Sequence, residues 1–154
     1  MTQSAARSAI KKASKAKSAD VLFASAAVER LEAKASLPAK FQRMLDPFDL
    51  NRICAGQTVA VKIHVGGGLG FTTIPPLFIR LLIQKIKAVN PKNIFVTDGS
   101  FSIHEATARG YTAEVLGAPL LGAAGIKDKF FYKHKVNYKS LKALEICGNI
   151  EDAD

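Results

Sequence analysis

Cysteine is scarce: the 154 residues contain only Cys54 and Cys147. Two isolated thiols match no zinc or iron–sulfur ligand spacing. The chain alone therefore cannot hold a four-cysteine cluster, and no metal ligand set is expected in it. A reduced intracellular pair is the expectation, ahead of a disulfide. Long apolar runs are also missing. None reaches the ~18 residues a membrane span needs, and Arg80, Gln84, Lys85 and Lys87 interrupt the longest helical candidate. No apolar stretch follows the basic N-terminus, so no secretory signal is read and a cytoplasmic location is expected. H-E-x-x-H and G-x-S-x-G are absent, and no cysteine–histidine pair has useful context. Acid is sparse at the start: residues 1–19 hold Arg7, Lys11, Lys12, Lys15 and Lys17 with no Asp or Glu.

The length suits one domain, and hydrophobic residues at 48% fit a globular chain with a core. The net charge is +9. Lys127, Lys129, Lys133, Lys135, Lys139 and Lys142 form a second basic cluster. Such charge attracts nucleic acid, anionic lipid or phosphorylated ligands. No zinc finger, aromatic RNA-binding signature or helix-turn-helix pattern accompanies it. The expectation is a solvated tail and a solvated face, with neither nucleic acid nor membrane as partner.

Residues 1–19 read as a basic flexible segment and 20–154 as an α/β domain. Asp20 to Ala24 is a short strand candidate. Ser25 is placed to cap a helix with Val28 and Leu31 as its stripe. Pro38 starts another helix, with Phe41, Met44 and Leu45 on one face. Leu50 and Ile53 form a further turn, stopped at Gly56. Thr58 to Val65 alternates β-branched residues with Ala60, Lys62 and His64 and predicts a buried parallel strand. Gly66 to Gly70 must then be loop. The spacing of apolar residues from Ile74 to Val89 predicts an amphipathic helix. Asn93 to Thr97 is the next strand, parallel to the first through that helix. Residues 103–117 predict one or two short helices broken near Gly110, and Ala118 to Leu121 a third strand. Lys129–Lys133 and Leu141–Ile146 predict a hairpin. The fold class expected is α/β, a mostly parallel sheet with flanking helices in a Rossmann-like three-layer arrangement, as an incomplete domain.

Ligands of parallel α/β sheets sit outside the carboxyl ends of the strands. The loop at 66–70 stands there. Glycine-rich backbone lets N–H groups approach an anion, and a following helix N-terminus favours negative charge. Yet the spacing is neither a Walker A nor a dinucleotide G-x-G-x-x-G, so a plain turn competes with a phosphate site. Lys62 lies in a run that reads as buried on both sides, and a buried ammonium needs a carboxylate or an anionic ligand. Asp98, ending the neighbouring strand, is its natural partner. The competing reading is a purely structural Lys–Asp pair. Lys62, His64, Gly66, Gly67, Gly68, Asp98 and Ser100 are the ligand-binding candidates. His104 and Glu105 are weaker candidates for acid/base chemistry. His134 is expected to be solvated among its lysines.

VAVKIHVGG, the helix beginning near TTIPP, NIFVTDGS and ARGYTAEVLGAPLLGAAG, in this order, resemble the N-terminal half of the domain of unknown function 362 family. The resemblance runs from about Val21 to Asp154. Lys62, His64 and Gly66 match the family's Lys-x-His/Asn-x-Gly strand end, and Asp98 its Thr-Asp strand end. Ala123-Ala124-Gly125 stands where many members carry Ala-Asp-Gly. The resemblance implies a chain about half the family's usual length. It implies association with 4Fe-4S proteins, through cysteine motifs that a full-length relative carries and this chain lacks. It also implies a fold like that of nickel-dependent lactate racemase, with a cleft between two lobes. If the full-length protein is an enzyme, an iron–sulfur oxidoreductase is the first expectation. A missing C-terminal half, a homo-oligomer and an unidentified small or anionic ligand are the partners so implied; the alternative is a non-redox anion- or phosphate-binding module.

Overall fold

A computed structural model describes residues 20–66 and 72–154, apart from the side chains of Ser100 and Phe101. The fold is mixed α/β, built on a three-stranded parallel sheet. Strand β1 (Thr58–Lys62) pairs with the central β2 (Asn93–Asp98), which pairs in turn with β3 (Leu120–Gly122). A two-stranded antiparallel hairpin, β4 (Phe131–Tyr138) and β5 (Leu141–Cys147), follows.

The helices begin and end where local chemistry dictates. In α1 (Leu37–Met44) the Ser36 hydroxyl caps the Ala39 N–H and Pro38 sits in the first turn. Helix α2 (Leu50–Cys54) is capped by the Asp49 carboxylate on the Arg52 N–H. Helix α3 (Pro76–Lys87) starts on its proline and buries Ile79, Ile83 and Ile86, the 3–4 spacing of a core-facing stripe. The short helices α4 (Ser100–Thr107) and α5 (Ala113–Leu116) are separated at Gly110, which has φ +85°. Thr112 caps α5, and Gly117 ends it in the left-handed region. A last turn, α6 (Gly148–Glu151), follows β5 directly.

The core is one cluster. Ile79, Ile83 and Ile86 of α3 join Val61 and Val96 from the sheet and Val65 just beyond β1, with Cys54, Ala106, Tyr111 and Leu116 closing it. Phe41 meets Phe78 edge-on at 5.3 Å, which ties α1 to α3. The chain's last residue returns to the start of β1: the Asp154 carboxylate accepts from the Thr58 N–H, and the Asp154 N–H donates to Thr58 O. Among the described residues no helix is long and apolar enough to cross a membrane.

Three expectations are corrected. Asp20 to Ala24 is not a strand: it pairs with no neighbour among the described residues, and Val21 and Phe23 stand 86% and 87% exposed. The helix expected from Ser25 through Leu31 is absent, and only a 3-10 turn at Ala33–Ala35 forms. The Ser25 hydroxyl accepts from the Ala27 N–H, and Lys40 Nζ binds the Ser25 and Ala27 carbonyls. These side-chain bonds replace the helical ladder. Finally, β1 stops at Lys62 rather than Val65, because side chains claim the backbone groups of Val65 (below).

Candidate functional site

The parallel register sets Lys62 beside Thr97, so β1 ends one residue short of Asp98 on β2. The backbone then leaves the ladder. Asp98 Oδ2 accepts the Val65 N–H at 2.8 Å, and the Arg109 guanidinium donates to the Val65 and Gly66 carbonyls. Asp98 Oδ1 accepts from Lys62 Nζ at 2.9 Å, and His64 Nδ1 lies 3.5 Å from Oδ2. One buried carboxylate therefore gathers Lys62, His64 and Val65 at the carboxyl end of the sheet.

The burial is the reverse of the sequence expectation. The ammonium of Lys62 is not buried: its side chain is 57% exposed, against 9% for Asp98. The methylene stem of a lysine lets the charged head reach water at a strand end, while the short Asp side chain stays inside. It is the anion that needs partners. Burial pushes the Asp98 carboxyl up, but hydrogen bonds from Lys62 and from the Val65 and Gly99 N–H groups outweigh it. The net result is a carboxyl held below its ordinary value. At neutral pH Asp98 is thus an anion with both oxygens engaged. It orients cations and backbone, and has no proton to give as a general acid.

His64 is 72% exposed, so Lys62 and His64 both carry nitrogen atoms to the solvent-facing end of β1. Gly66 has φ +69°, and a Cβ there would lie 2.7 Å from Thr73 Cγ2 and 3.3 Å from Arg109 Nη1. Gly66→Ala is accordingly expected to destabilise by about 1–2 kcal/mol, through left-handed strain plus displacement of Thr73. A thermal melt checks this; an unchanged midpoint would show that the turn yields freely. Gly67 and Gly68, with the rest of 67–71, lie outside the described residues. Ser100 opens α4 next to Gly99, and its side chain also lies outside the description.

Sequence reasoning missed Arg109. It carries no periodic signal, falling between two short helices just before Gly110. Its guanidinium spans from the Val65–Gly66 turn to the Tyr111 ring, 5.6 Å from the centroid. Tyr111 in turn donates to Ile74 O and shares a hydrogen bond with Thr73 Oγ1. Arg109 Nε and Nη1 are buried without a hydrogen-bond partner among the described residues. The weaker candidates go elsewhere. Glu105 is exposed on α4, and His104 lines a cavity of about 150 Å³ with Leu120, Leu121, Gly122 and Asn149. His134, expected to be solvated, is half-exposed and pairs with Glu151 at 2.7 Å.

The two thiols are free, Cys54 in the core and Cys147 half-buried at the end of β5. Burial pushes the Cys54 thiol up. Two thiols are too few to supply the four protein ligands of an iron–sulfur centre. Among the described residues no three Cys, His, Asp or Glu side chains converge on a metal position.

No family model matches this chain, and neither a curated protein nor a solved structure matches it.

Proposed function

We propose that the chain supplies one wall of a cytoplasmic ligand cleft, and that the ligand is a small anion-bearing molecule met by Lys62 and His64. One observation carries this reading. Two exposed nitrogen-bearing side chains stand at the carboxyl end of β1, anchored by a single buried carboxylate at the end of the adjacent parallel strand β2. That is where open parallel sheets bind ligands. Asp98 neutralises part of the charge and fixes its direction, while Arg109 holds the turn that follows.

The family reading is part of the proposal: a short member of the domain of unknown function 362 group, with a Rossmann-like three-layer domain completed by a second half or a second copy. The parallel order β1-β2-β3 supports its α/β part, and the exposed apolar side chains of Val21, Phe23, Val28 and Leu31 support a covering partner. The iron–sulfur association rests on that resemblance alone. Two cysteines do not make a cluster ligand set, so in this reading redox chemistry would belong to a second half or a partner.

Calorimetric titration with phosphate, phosphosugars, nucleotides and small carboxylates tests the anion reading. Binding should weaken with salt, and Lys62→Ala should weaken it at least tenfold. Since Lys62 is largely exposed, that variant stays folded. Binding that ignores both salt and Lys62→Ala would end the proposal.

A further inference from the structure

The β4–β5 hairpin carries a feature that strict alternation hides. Residues 131, 133 and 135 share one face of β4, and regular pairing would send Tyr138 to the other. The register is not regular. Lys135 pairs with Ala143, but Tyr138 pairs with Leu141, so two residues of β4 oppose Lys142 alone. This bulge restores Tyr138 to the face of Phe131, Lys133 and Lys135. The face reads aromatic, lysine, lysine, aromatic over about 20 Å of strand.

The two faces differ in cover. On the opposite face Tyr132 bonds to Asp152 and His134 to Glu151, so α6 and its flank supply acids there. The Phe131 face has Leu141, Ala143, Glu145 and Cys147 as its β5 half. Its single acid, Glu145, pairs with Lys133 at 3.6 Å. Phe131 is 42% exposed and Tyr138 66%. Lys139 adds its ammonium 5.4 Å from the Tyr138 ring centroid. A lone two-stranded hairpin is a marginal structure in water, and exposed rings on it lack a stability rationale.

We infer that this face is a docking surface for single-stranded nucleic acid. Flat exposed rings offer stacking platforms to unpaired bases, and the lysines between them meet the phosphates. Charge complementarity selects a polyanion, and aromatic spacing selects one with planar groups. An acidic peptide has the charge without the planes. An anionic bilayer would want the rings grouped at one tip, not separated by two lysines. The motif escapes a sequence scan because the bulge, not the spacing, aligns Tyr138 with the lysines.

Fluorescence anisotropy with the full chain tests this, using a labelled short oligothymidylate, its uridylate counterpart and a duplex of the same length. Both single strands should bind, more tightly than the duplex, with affinity falling as salt rises. Tyr138→Ala should weaken binding roughly tenfold, while Tyr138→Phe keeps it. Lys133→Ala with Lys135→Ala should flatten the salt dependence, each phosphate contact contributing a slope of about 0.7 in log–log form. Lys87→Ala removes one exposed charge from α3 and should change affinity less than twofold. The basic residues of 1–19 are common to all variants, so these comparisons isolate the hairpin. The inference fails if Tyr138→Ala binds like the parent, or if Lys87→Ala weakens binding as much as the hairpin lysines. It fails equally if the duplex, polyglutamate or anionic phosphatidylserine vesicles bind as well as the single strands.

Discussion

Ile83→Ala is expected to lower the free energy of unfolding by about 3–4 kcal/mol, near the middle of the range for deleting a buried branched side chain. Ile83 is 1% exposed at the centre of α3, the helix that links β1 to β2. Its Cγ2 also approaches Gly117: a Cβ added at that glycine would lie 3.9 Å away. Val61 and Val96 of the sheet and Leu116 of α5 belong to the same buried cluster. The effect combines lost transfer energy with an unfilled cavity. Urea unfolding at an unchanged slope measures it. A loss under about 1 kcal/mol would mean that α3 can slide toward the sheet, and that the core is not close-packed there.

The second large effect is at Asp98. Asp98→Asn is expected to destabilise by about 2–3 kcal/mol at neutral pH, since hydrogen bonds to a charged acceptor are worth more than those to a neutral one. Lys62→Met should cost far less, about 0–1 kcal/mol, because its ammonium is mostly in water. That asymmetry separates the present geometry from a pair buried at both ends. The pH dependence has a definite sign. The folded carboxyl lies below its ordinary value, so the stability it contributes is present above the unfolded value, about 3.9. It is lost as pH falls through the folded value. The gap between parent and Asp98→Asn should therefore be full at pH 7 and close progressively below about pH 4. A gap that persists unchanged at pH 2 would show that Asp98 acts through shape and not charge.

Much of the parallel unit was legible in the residues. The β-branched runs at 58–62 and 93–98, with the 3–4 spacing between them, leave few arrangements open, and the observed order follows. The Lys62–Asp98 pair was legible for the same reason: two strand ends joined by one helix must lie side by side. The direction of its burial was not, because exposure at a strand end depends on which neighbour covers it. The failures at 20–31 share a cause. Short strands and helices are marginal alone, and Lys40 and Ser25 offered that backbone other partners.

The strand leading to Gly66 shows where the division lies. Local sequence determined that 58–62 is a strand, that a turn follows and that Asp98 lies nearby, because periodicity and glycine act over a few residues. Tertiary structure alone decided that the strand ends at Lys62, that Arg109 grips the turn from 43 residues away, and that Tyr138 joins the face of Lys133 and Lys135. Each of these depends on which distant backbone group a side chain or strand meets. Spacing along the chain does not encode that choice; packing does.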